Sequence, residues 1–199
     1  QSIVDALSCV VIYKTGSIVF PKQKLYIFLS AMFSPLMIIL SSQVLSETIF
    51  LFFFSLFLYF SLKAISEKNK LYFSIALGGI FLGLSATIRP ITYPLIFLSL
   101  LPFTIILIKK NIIKYKIFFS LIIFLCFSLL PISSRIINNF KSNNTFSLTS
   151  QTGIHLAYWV TPMILTEANN INRNDAIKKI NKIKNRYNLT TNPYKNDQI

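Results

Sequence analysis

Val44-Leu-Ser-Glu-Thr-Ile-Phe-Leu-Phe-Phe-Phe-Ser-Leu-Phe-Leu-Tyr-Phe-Ser-Leu62 is the stretch that decides the fold. After Glu47 it is almost purely Phe, Leu and Ile, and it approaches the ~20 apolar residues that a helix needs to cross a bilayer. Working outward, residues 71–88 form a second such run, in which Gly79 and Gly83 at i, i+4 spacing offer a smooth face for close helix packing. Pro90 stops it. Residues 91–108 and 117–134 are two more, with Pro94, Pro102 and Pro131 implying bends rather than straight rods. Upstream, residues 25–42 are interrupted by Ser34-Pro35, and residues 3–20, carrying Asp5, Lys14 and Gly16, make a shorter run. The expected fold is all-α: a polytopic helical membrane protein with five to six transmembrane helices.

Composition agrees. The 199 residues are 53% hydrophobic and 13% charged, with 19 Phe, far from the balance of a soluble domain. A net charge of +14 raises the question of nucleic acid, but the cations sit in short loops beside apolar runs, where the positive-inside bias places them. Nucleic acid is therefore not an expected partner; the lipid bilayer is. Cys9 and Cys126 lie inside apolar runs and read as small hydrophobes, not as a disulfide or metal site. The chain opens at Gln1 without Met or a signal pattern and reads as the interior of a longer protein.

From residue 135 onward the composition turns to Asn, Ser, Thr and Lys. The expected organisation is a transmembrane region over 1–134 and a polar tail over 135–199, with a short amphipathic helix over about 174–187 on which Ile177, Ile180 and Ile183 share one side. Orientation follows from the gaps. Lys22 and Lys24, then Lys63, Lys68 and Lys70, then Lys109, Lys110, Lys114 and Lys116 mark alternate loops as cytoplasmic. The segment before Glu47, the turn at Arg89-Pro90 and the tail then lie on the extracytoplasmic side.

The tail is itself basic, but few charges fall at the ends of the spans on that side. Glu47 follows Ser46 and has two readings: a first-turn acid favourable to the helix dipole with Ser46 as N-cap, or a functional carboxylate that binds a cation, orients an arginine or holds a sugar hydroxyl. Arg89 is either a cation completing a helix C-terminus or a guanidinium placed for bidentate binding of phosphate. Arg135 has the same two readings and offers a second guanidinium. His155 and Trp159 lie close in sequence, but nothing beside His155 completes a nucleophile, base and orienter set. The sequons at Asn143 and Asn188 are weak patterns. No P-loop, Gly-rich dinucleotide turn or Cys/His cluster is present in the sequence, so a nucleotide or metal cofactor bound by these motifs is not indicated.

Read together, Leu45-Ser-Glu-Thr-Ile-Phe50 opening one helix and Gly83-Leu-Ser-Ala-Thr-Ile-Arg-Pro90 closing the next resemble the GT-C class of membrane glycosyltransferases related to dolichyl-phosphate-mannose protein mannosyltransferases and the bacterial aminoarabinose transferase. Arg135-Ile-Ile-Asn-Asn139 and Thr145-Phe-Ser-Leu-Thr-Ser-Gln-Thr-Gly153 are similar to the Arg-Asn segment and Gly-containing stretch of those enzymes. The resemblance implies transfer of a sugar from a polyprenyl-phosphate donor to a lipid, glycan or protein acceptor at the extracytoplasmic face of a bacterial inner membrane. It implies Arg89 and Arg135 as donor-phosphate ligands and Glu47 and Asn139 as orienting residues. Asn138 departs from the family pattern, where an arginine commonly stands. The acidic residue that such enzymes place in their first extracytoplasmic loop would lie upstream of Gln1, so no catalytic residue is assigned in this chain. Two other classes are expected alternatives: a transporter or lipid flippase, whose charges would face a cavity, and a non-catalytic membrane subunit held by the Gly79/Gly83 face.

Overall fold

The computed structural model describes residues 1–35, 39, 46–144, 146, 148, 159–169 and 172–186. Among these every regular element is a helix. We number them α1 (Ser2–Val19), α2 (Lys24–Met32), α3 (Ser46–Ser66), α4 (Leu71–Ile88), α5 (Tyr93–Leu98), α6 (Leu100–Lys109), α7 (Lys114–Asn143), α8 (Thr161–Asn169) and α9 (Arg173–Arg186). The chain divides into two compact units, Gln1–Ser134 and Arg135–Ile199.

Five stretches of the described residues are long and apolar enough to cross a membrane: α1, α3, α4, the run Pro90–Lys109, and Lys114–Ser142 within α7. The protein is therefore an integral membrane protein whose apolar helices contact lipid. Large side chains such as Phe73, Ile91, Leu101, Phe118 and Leu130 point outward, as lipid rather than water demands. The short run over 3–20 is helical as α1. Of the run over 25–42, α2 covers the first part; most of the residues after Pro35 lie outside the described residues, as do residues 41–45 before Glu47.

Residues 91–108 divide into α5 and α6 around Ser99. The cause is Pro102, which has no N–H to give the Leu98 carbonyl; Ser99 N and Phe103 N keep their bonds to Leu95 O and Ser99 O on either side. Pro94 falls in the first turn of α5, where a missing donor costs nothing. Pro131, by contrast, lies inside the continuous α7, and that helix runs past the polar change at residue 135 to Asn143. Ile136 and Phe140, one turn apart, carry the helical pattern onward there.

In the first unit α3 and α4 form an antiparallel hairpin, the most extensive helix pairing among the described residues, closed by a 3₁₀ turn at Lys68–Lys70. Phe81 of α4 stacks against both Phe53 and Phe60 of α3, with ring centroids 6.1 and 5.6 Å away. On its other side α4 meets α7 through glycine. A Cβ on Gly79 would stand 2.7 Å from the Phe124 carbonyl oxygen, and one on Gly83 would meet the Ser128 carbonyl oxygen and the Pro131 ring. Both numbers rise together along the contact, so α4 and α7 run parallel. Phe124 in turn bridges Phe57 of α3 and Phe103 of α6. α1 packs on α3, and α2 on α1 through Ile27 against Gly16 and Phe28 edge-on to Tyr13.

Eight buried or half-buried hydroxyls within the spans bond inside their own helices, whereas among the described residues Ser74 of α4 is buried without a partner. Ser8, Thr15, Ser17, Ser55, Ser85, Thr104, Ser120 and Ser128 each donate to a carbonyl three or four residues earlier, at 2.7–3.0 Å. In the second unit α8 packs on α9, burying Pro162 and Ala176, and Phe140 stacks on Phe146 at 4.4 Å. The amphipathic helix expected over 174–187 is α9.

Candidate functional site

Helix length alone brings Glu47 and Arg89 to one end of the hairpin. At about 1.5 Å per residue, Glu47 to Ser66 spans roughly 28 Å and Leu71 to Arg89 roughly 27 Å, so an antiparallel pair returns Arg89 to the level of Glu47. The two side chains form an ion pair, Arg89 Nη2 to Glu47 Oε1. Arg89 is 40% exposed and Glu47 30%, so the pair is reachable and only partly desolvated.

Local sequence fixes both partners. Pro90 forces the residue before it out of helical geometry, and Arg89 is extended at φ −124°, ψ 97°, while its N–H still donates to Ser85 O at 2.9 Å. The Arg89 carbonyl accepts from Thr92 Oγ1 at 2.8 Å and from Thr92 N at 3.1 Å. Thr92 is buried and holds the corner; a Thr two residues after a Pro was the signal, and it passes unnoticed beside the charges. Glu47 lies in the first turn of α3, where the helix dipole favours a carboxylate. Ser46 is the first helical residue rather than the cap: its hydroxyl lies 3.5 Å from Glu47 Oε2 and donates to it.

The opposite end of this unit carries a different charge. Lys63 closes α3, Lys70 precedes α4, Lys109 and Lys110 end α6, and Lys114 and Lys116 begin α7. Among the described residues Glu67 is the acid there, 3.9 Å from Lys63. Because α4 and α7 are parallel, all six lysines share one end of the bundle.

Arg135 and Asn139 belong to the second unit. Arg135 is exposed on α7, and Asn139, one turn on, donates through Nδ2 to Leu148 O at 3.3 Å, tying the helix to the chain that follows. Trp159 is exposed, with the Arg173 guanidinium 5.7 Å above its ring. His155, Gly153 and Asn188 lie outside the described residues. Among the described residues no group of three His, Cys, Asp or Glu side chains is placed to hold a metal ion.

No family model, curated protein or solved structure matches this chain. The arrangement itself can do one thing well: a guanidinium held at the rim of a membrane helix pair, oriented by a carboxylate and partly open, can receive the oxygens of an anion.

Proposed function

We propose that this protein is an integral-membrane glycosyltransferase of the GT-C type, taking a sugar from a polyprenyl-phosphate donor to an acceptor on the extracytoplasmic face of a bacterial inner membrane. The observation that supports it is the Glu47–Arg89 pair, at the end of the bundle opposite the lysine-rich turns. By the positive-inside bias that end faces away from the cytoplasm, and so does the tail. A lipid phosphate reaching the membrane rim there meets Arg89, and Glu47 sets the plane of the guanidinium. As the glycosidic bond to phosphate breaks, charge builds on the leaving oxygen, and a preorganised arginine stabilises it. Arg135 and Asn139 are assigned to the donor side by resemblance, and no residue here is assigned as the base.

The test is binding of a polyprenyl phosphate to the full chain in nanodiscs, compared with the neutral polyprenol. Arg89→Ala should weaken phosphate-lipid binding about tenfold or more, equivalent to ~1.4 kcal/mol. Arg89→Lys should recover part of it, since an ammonium keeps the charge without the planar fork. Unchanged binding by Arg89→Ala, or equal retention of the uncharged lipid, overturns the assignment.

A further inference from the structure

The second unit carries a surface that the phosphate site does not use. Trp159, Val160, Met163 and Ile164 are all 43–63% exposed. Their spacing, i, i+1, i+4 and i+5, puts them on one face where the chain enters α8. They are apolar, they form none of the membrane-crossing helices, and water is a poor neighbour for all four. Arg173, at the start of α9, places its guanidinium over the Trp159 ring, so a cation borders this face.

The charge of the unit names the partner. Residues 135–199 contain nine Lys and Arg against three Asp and Glu. On α9, Lys178, Lys179 and Lys182 are exposed, with Asp175 paired to Lys178 at 3.4 Å, and Glu167 on α8 is the other described acid. Two copies of such a surface repel each other, whereas anionic lipid headgroups attract it. An indole beside a guanidinium at the edge of an apolar face suits the boundary between headgroups and acyl chains. The spans of the first unit guarantee that a bilayer is within reach.

We infer that α8 and α9 form a membrane-surface element: Trp159, Val160, Met163 and Ile164 enter the headgroup region of an anionic bilayer, and Arg173 with the lysines of α9 binds its lipid phosphates. The inference is independent of the donor-phosphate site and of which leaflet the tail meets.

Trp159 is the only tryptophan in the chain, which makes it a reporter without engineering. The full protein would be reconstituted in phosphatidylcholine vesicles with and without phosphatidylglycerol, and Trp159 emission followed with brominated lipids and with aqueous acrylamide. The expected result with the anionic lipid is blue-shifted emission, quenching by bromines about 5–10 Å below the surface, and protection from acrylamide. Raising salt from ~0.1 M to ~1 M, which cuts the screening length from about 10 to about 3 Å, should reverse most of the shift. Lys178→Gln, Lys179→Gln and Lys182→Gln, at exposed positions that leave the fold intact, should each weaken docking about fivefold. Full acrylamide access with no bromolipid quenching in either membrane overturns the inference. So does a blue shift that grows with protein density without bromolipid quenching, which would mean that another protein covers the face.

Discussion

α3 and α4 are neighbours of nearly equal length and similar apolarity, yet half of α4 is buried and only 17% of α3. Hydropathy cannot explain this, because lipid is as good a solvent for Phe as a protein interior is. Side-chain size does. α4 carries Ser74, Gly78, Gly79, Gly83, Ser85 and Ala86 along its buried surface and lets α3 and α7 approach on two sides. α3 carries Phe at positions that hold partners at ring distance and turn the rest to lipid. In a membrane, bulk decides which helix is central, through van der Waals contact rather than exclusion of water.

The strongest way to break the contrast is Gly83→Leu. The new side chain has nowhere to go between the Ser128 carbonyl and Pro131, and we expect a loss of about 3 kcal/mol or more, enough to separate α7 from α4. Denaturant titration in detergent would measure it, with Cys9, buried and unpaired, as a thiol-labelling reporter of opening and Cys126→Ser to silence the exposed cysteine. Phe124→Ala tests the ring contacts: removing the bridge between Phe57 and Phe103 should cost about 2 kcal/mol, less than in a water-soluble core because the transfer term is absent. Glu47→Gln should cost about 1 kcal/mol or less in the same assay, as a partly exposed ion pair does. Gly78→Ala should be neutral or slightly stabilising, by up to about 1 kcal/mol, because the atom nearest its Cβ would be Ser61 Oγ at 3.4 Å, with Ser61 N and the Phe57 carbonyl oxygen at 3.7 and 3.8 Å, and alanine favours the helix. Equal sensitivity at Gly78 and Gly83 would mean that close packing is not what makes α4 central.

The spans were legible because hydrocarbon thickness fixes the length of a crossing helix, and Gly79 and Gly83 announce a close contact by their spacing. The identity of the partner was not: nothing in residues 79–83 points to 124–131, since that pairing depends on the parallel course of two helices with α5 and α6 between them in the chain. Glu47 and Arg89 each stood out as a charge at the end of an apolar run. Their meeting follows only once α3 and α4 are known to be a hairpin of matched length. The split of 91–108 at Ser99 was marked by Pro102, but whether a proline bends a helix or divides it depends on which carbonyl loses its donor. Ser46 shows the limit of capping rules: a hydroxyl expected to serve the backbone leans on the neighbouring carboxylate instead.

The inward-turned hydroxyls bear on how the chain is made. A Ser or Thr that already bonds to its own backbone presents no unmet donor to lipid, so it does not oblige its span to wait for a partner. Ser8 of α1, Ser55 of α3 and Ser120 and Ser128 of α7 therefore ask for no companion helix before α4 arrives to join α3 and then α7. Ser74, in α4, is the buried hydroxyl without a partner among the described residues, and it falls on the helix that packs against both α3 and α7.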